Sequence, residues 1–156
     1  SSAEKASKGG YVAVDVESPA LVLVSTGSEV GSCVKAAEKL TAAGTPTRVV
    51  SMPCQEIFLK QSAEYQKSVL PGDVPTLSVE ASSPHGWHRF SHSQIAMNDF
   101  GCSGKGSAVF EYYGFTPENV EAKGQALVDF FKKAGSVPDL SLRPPIDLIL
   151  SPHASH

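Results

Sequence analysis

The segment Leu21 to Glu29, LVLVSTGSE, leaves the chain little choice of fold class. Leu21, Val22, Leu23 and Val24 form an unbroken apolar run, which suits a strand covered on both faces, as in a parallel sheet. Thr26-Gly27-Ser28-Glu29 then reads as a capping box. In that arrangement the Thr26 hydroxyl accepts from the Glu29 amide, and the Glu29 carboxylate accepts from the Thr26 amide. The helix that follows carries Val30, Cys33, Val34, Ala37 and Leu40 on one face and ends near Gly44, a natural left-handed cap. Such a strand, turn and helix open a doubly wound domain and leave helix amides where an anion could sit. The competing reading is that Glu29 already satisfies those amides.

Further along, the punctuation repeats. Thr47 to Met52 (TRVVSM) reads as a second short strand closed by Pro53, followed by a loop holding Ile57 and Phe58. A helix is expected over Gln61 to Leu70, stopped by Pro71-Gly72, and a third strand over Pro75 to Ala81. A helical turn near His88 to Gln94 and a strand near Ile95 to Asp99 come next, then a short aromatic helix over Ala108 to Tyr113. Thr116-Pro117-Glu118 is a strong helix start, with a Thr cap, Pro at the first position and an acid in the first turn. Val120, Leu127, Val128 and Phe131 make the buried stripe of that helix, which ends at Gly135. The strand near Tyr11 to Val14, beyond a Gly-Gly turn, fits an antiparallel edge. Together these elements predict a three-layer α/β/α sandwich around a mostly parallel sheet of about five strands.

Three parts follow. Residues 1–18 read as a linker with the edge strand, as if cut from a longer chain, and residues 19–135 form the α/β domain. Residues 136–156, with Pro138, Pro144, Pro145 and Pro152, are expected to be extended or disordered.

Chemistry is harder to find. The net charge of −3 gives no electrostatic case for nucleic acid or an anionic membrane surface, and no apolar run approaches the ~18 residues that span a bilayer. Three cysteines without CxxC spacing (Cys33, Cys54, Cys102) fit a reducing compartment. The cytoplasm is therefore expected, with a peroxisome-like organelle as the alternative, although Ala154-Ser155-His156 is not the SKL address. His85, His88 and His92 have spacing that could share a helix face and hold zinc, but no Cys or carboxylate stands at ligand spacing. Gly101 to Ser107, GCSGKGS, fails the phosphate-loop pattern because Asp99 and Gly106 stand where Gly and Ser or Thr are required. Its amides, Ser103 and Lys105 remain a weak anion-binding signal beside Thr26, Gly27, Ser28 and Glu29. Glu80, at a strand's C-terminal end, is a candidate acid. Glu80, His85, Trp87 and His92 are candidates for a surface facing a protein partner, and Trp87 filling the domain's own core is the competing reading.

Read in order, KGGY (Lys8 to Tyr11), TGSEV (Thr26 to Val30), RVVSMP (Arg48 to Pro53), YQKSVLP (Tyr65 to Pro71), SVEA (Ser78 to Ala81), Gly86-Trp87, FGCSGK (Phe100 to Lys105) and YGFTPENV (Tyr113 to Val120) resemble the C-terminal third of a transketolase. The resemblance runs from residue 1 to about residue 133 and leaves the Pro-rich tail without a counterpart. It implies a full-length enzyme that moves a two-carbon ketol unit between sugar phosphates, using thiamine diphosphate and magnesium or calcium at a homodimer interface. In that family the cofactor and catalytic residues come from the two preceding domains, and the C-terminal domain supports the dimer. This chain has no GDG motif, since Gly72-Asp73 is followed by Val74, so no catalytic, cofactor-binding or metal residue is carried over. The alternative from another class is a free-standing α/β module for a small ligand or effector.

Overall fold

The apolar run opening at Leu21 becomes the central strand of the sheet. In the computed structural model, which describes residues 1–81, 86–96 and 114–142, β2 (Leu21–Ser25) is buried at every residue. It lies between β3 (Thr47–Ser51) and β4 (Thr76–Glu80), parallel to both. β5 (Ser93–Ala96) extends the sheet in parallel beyond β4, while β1 (Tyr11–Val14) adds an antiparallel edge on β3, with a bulge between Val12 and Val14. The spatial order is β1-β3-β2-β4-β5.

Period-two alternation along the strands sends side chains to two cores. Leu21, Leu23, Val49, Leu77 and Val79 face α2 (Glu29–Ala42) and α5 (Pro117–Ala134), meeting Cys33, Leu40, Val120 and Val128. Val22, Val24 and Val50 face the other way, onto Phe58, Val69, Trp87 and Phe90. Those residues come from α3 (Gln55–Leu59), α4 (Ala63–Val69) and a 3-10 turn, Trp87–Arg89. Three layers result, as expected.

The start of α5 follows its local signals: the Thr116 hydroxyl accepts from the Asn119 amide, Pro117 occupies the first turn, and Gly135 closes the helix at φ +84°. Gly124, outside the expected stripe, is what seats the helix. A Cβ there would lie 2.8 Å from a Leu21 methyl and 3.5 Å from one of Leu40. No helix among the described residues is long and apolar enough to cross a membrane.

Several boundaries differ from expectation. The loop holding Ile57 and Phe58 is the five-residue helix α3, too short to show a 3.6-residue period. The expected Gln61–Leu70 helix occupies Ala63–Val69, because the Ser62 hydroxyl caps it by accepting from the Tyr65 amide. The helical turn falls at Trp87–Arg89 rather than His88 to Gln94, and the last strand at Ser93–Ala96 rather than Ile95 to Asp99. Pairing with β4, begun by the His92 amide donating to the Thr76 carbonyl, places that strand; Ser-Gln-Ile-Ala has no pattern of its own. Within the stretch read as a linker, α1 (Ser2–Ala6) forms an exposed turn of helix capped by Ser1. The aromatic helix expected over Ala108 to Tyr113 lies outside the described residues.

Residues 136–142 lack regular structure but are held in place. The Leu140 amide donates to the Gly72 carbonyl, and His92 Nε2 lies 2.7 Å from the Pro138 carbonyl oxygen. Since His92 Nδ1 accepts from the Thr76 amide, the ring is the Nε2–H tautomer and donates to Pro138. An edge-on contact with Phe131 fixes the ring from the other side. The remainder of the Pro-rich tail lies outside the described residues.

Candidate functional site

In an open α/β sheet, ligands collect at the carboxyl edge where successive crossovers run to opposite faces. Here that place lies between β2 and β4. α2 leaves β2 for one face, whereas α3 and α4 cross on the other before the chain returns as β4. Thr26, Gly27, Ser28 and Glu29 follow β2 at this point, and Glu80 ends β4 beside them, since Ser25 pairs with Val79. The chain thus brings the first candidate group and Glu80 to one edge.

The turn is built differently from the expected capping box. α2 begins at Glu29, and Ser28 caps it in right-handed helical geometry with no side-chain hydrogen bond. Gly27 at φ +61° turns the chain before the helix starts, so the cap position falls to Ser28 rather than Thr26. Glu29 is nevertheless buried, 7% exposed, and its Oε2 lies 3.6 Å from where a Gly27 Cβ would be. The carboxylate folds back over its own helix N-terminus, where its charge complements the helix dipole. An anion approaching this turn meets the Glu29 carboxylate.

Because the Gly27 Cβ position has room and only its φ is unusual, Gly27→Val should cost about 1–2 kcal/mol through backbone strain. Ser28→Ala should leave the melting temperature unchanged, as its hydroxyl makes no cap bond. Thermal melts of the two variants give the comparison, and equal melting would contradict the positive-φ turn.

Cys33 points from α2 into the core beneath this turn. Burial pushes its thiol up to about 12, against a lowering contact from Ser25 and with the Glu29 charge adding to the rise. It stays protonated at neutral pH and is a packing residue, not a nucleophile.

The three described candidates for a partner-facing surface, Glu80, Trp87 and His92, are not brought together. Glu80 ends β4 at the carboxyl edge, whereas His92 pairs with Thr76 at the amino edge, about 13 Å away along the strands. Trp87, open in the sequence between an exposed anchor and a core residue, is only 4% exposed and packs edge-on against Phe90 at 6.2 Å. Gly86 at φ +88° turns the chain so that the indole enters the core while His88 stays outside. Trp87 emission should accordingly be blue-shifted and resist iodide quenching; a solvated, readily quenched indole would contradict this placement.

His85, Ser103 and Lys105 lie outside the described residues. His88 and His92 stand on a 3-10 turn and at a strand start, so the helix face needed for shared zinc ligation does not form. Among the described residues no three His, Cys, Asp or Glu side chains converge as metal ligands. What sequence reasoning missed is structural: Gly9, Gly10 and Gly124 as close-contact positions, and His92 as a latch for the segment after α5. Only the adjacent glycines of KGGY gave a hint.

Residues 9–116 match the transketolase-like TK C-terminal domain family. The transketolase of Kluyveromyces lactis is 47% identical over 132 residues, which cover 85% of this chain and 19% of that protein. A crystal structure of Pichia stipitis transketolase in complex with sedoheptulose 7-phosphate superposes with a TM-score of 0.85 at 45% identity, covering 94% of this chain and 21% of that one. Transketolase from Leishmania mexicana gives 0.83 at 41% identity, covering 88% and 20%. The chain spans about one fifth of the length of these relatives.

Proposed function

The chain belongs to the transketolase C-terminal domain family, and from that membership we propose that it serves as the non-catalytic, dimer-supporting domain of a longer transketolase. The observation that carries the non-catalytic part is the closed switch point. At the place where an α/β sheet ordinarily binds its ligand, the buried Glu29 carboxylate lies beside Gly27, and Glu80 ends the neighbouring strand. The family implies thiamine diphosphate with magnesium or calcium for the longer enzyme. Among the described residues, the buried Glu29 carboxylate at the switch point opposes a diphosphate, and no three His, Cys, Asp or Glu side chains converge on a metal.

For the longer enzyme, transfer of a two-carbon ketol unit between sugar phosphates is the activity proposed. The sedoheptulose 7-phosphate held by the Pichia stipitis relative supports that substrate class. A homodimer in the cytoplasm completes the reading, a compartment consistent with the unpaired thiols of Cys33 and Cys54.

A graft tests it. Residues 9–135 replace the matching segment of the Kluyveromyces lactis transketolase, and dimerisation and ketol transfer are measured. The hybrid is expected to dimerise and retain transfer. A folded monomer would contradict the dimer-supporting role, and a folded, inactive dimer would contradict the non-catalytic one.

A further inference from the structure

A neutral imidazole has one donor and one acceptor, and His92 uses each on a different part of the fold. Nδ1 accepts from the Thr76 amide at the start of β4, 3.1 Å away, and Nε2 donates to the Pro138 carbonyl at 2.7 Å. The ring therefore ties residues 136–142 to the sheet, and it does so only while Nδ1 carries no proton. We propose that His92 is an acid-released latch: proton uptake at Nδ1 cuts the tie between the sheet and residues 136–142.

The incoming proton takes the Nδ1 lone pair that holds the Thr76 N–H, so two donors face each other and that bond is lost. Imidazolium has two N–H donors and no acceptor. It can keep Pro138 or turn to the Asp139 carboxylate, but it offers nothing to Thr76. Thr76 is only 2% exposed, so its amide must open toward water to be satisfied. Edge-on packing against Phe131, 5.2 Å between centroids, is fitted to the ring position that serves both partners, and leaving it loosens the segment further.

The charges around the ring act in both directions. Asp139 lies on the tied segment and draws an imidazolium away from the sheet. Hydrogen bonds from the Ser141 hydroxyl and amide hold its carboxyl below the usual range, so it stays ionised while the ring takes up a proton. Lys67 of α4 also acts on Asp139, Lys132 and Lys133 stand in the last turn of α5, and Arg89 lines one groove with Thr76 and Leu140. These cations oppose a charged ring. The tie is thus complete with the ring neutral and is lost as the pH falls. Among the described residues, the Leu140 amide on the Gly72 carbonyl is then the remaining hydrogen bond from the segment to the sheet side. The latch closes on residues beyond the family match at 9–116, so it stands apart from the role proposed above.

Amide hydrogen exchange of the chain, read as protection relative to intrinsic exchange, tests this at about pH 7.5 and about pH 5, on either side of the ordinary His range. Protection of the Thr76 and Leu140 amides should fall at least about tenfold at the lower pH, while Leu23 and Val24 in β2 keep theirs. His92→Asn retains an acceptor near the Nδ1 position and cannot titrate, so its Thr76 protection should not change with pH. Nitrogen NMR shifts of the ring should report the Nε2–H tautomer at the higher pH. Any one of four results would overturn the proposal: unchanged Thr76 protection in the parent, a fall that persists in His92→Asn, an equal loss in β2, or an Nδ1–H ring at the higher pH.

Discussion

Gly9→Ala is expected to lower the melting temperature by about 10 °C, the equivalent of about 3 kcal/mol in a domain of this size. Two costs combine at this position. Gly9 has φ +81°, where a side chain is strained, and a Cβ would sit 2.4 Å from both the Cys54 carbonyl oxygen and the Phe58 amide nitrogen. Both obstacles are backbone, so neither can rotate aside, and strain and overpacking each contribute about 1–3 kcal/mol. The contact is structural because the Cys54 amide donates to the Gly9 carbonyl, fastening the approach to β1 onto the start of α3. Gly31→Ala is the matched control. It lies in α2 with nothing within 4 Å of its Cβ position and should gain about 0.5–1 kcal/mol from helix propensity. A Gly9→Ala variant melting with the parent would contradict this close approach.

Phe58→Ala should be the most damaging truncation, costing about 4 kcal/mol. The ring is 1% exposed and meets Tyr65 and Phe90 edge-on, at 6.2 and 6.0 Å between centroids. Its removal takes away both the transfer free energy and the aromatic contacts of the second core. Urea unfolding should show a lower midpoint with an unchanged slope. An unchanged midpoint would place the ring outside the core.

These two residues show where sequence reasoning reached and where it stopped. Local signals made β2 and the start of α5 legible, because an unbroken apolar run and a Thr-Pro-Glu cap act through neighbours in the chain. Phe58 looked like part of a loop, since a five-residue helix has no period to display and its burial comes from Tyr65 and Phe90. The Gly9-Gly10 pair read as a turn, whereas its main use is to let two distant backbones touch, which only the assembled sheet reveals. Gly27 was correctly placed in a tight turn, but its positive φ moved the helix start to Glu29 and left Thr26 without a cap bond. The switch-point group was legible as a turn; the inward fold of the Glu29 carboxylate depends on burial and was not. Trp87 stayed open between core and surface because the left-handed Gly86 decides which way the indole points. His92 was noticed as a ligand candidate, while its partner Pro138 lies across the sheet's amino edge and leaves no local trace.

The account rests on the chemistry of the longer enzyme residing outside this chain. Calorimetric titration of the isolated chain with thiamine diphosphate and magnesium tests that claim most directly. No specific heat of binding is expected, because the Glu29 carboxylate opposes a diphosphate at the switch point and the described residues offer no metal centre. A saturable isotherm with micromolar affinity would contradict the account and put a cofactor site on this domain.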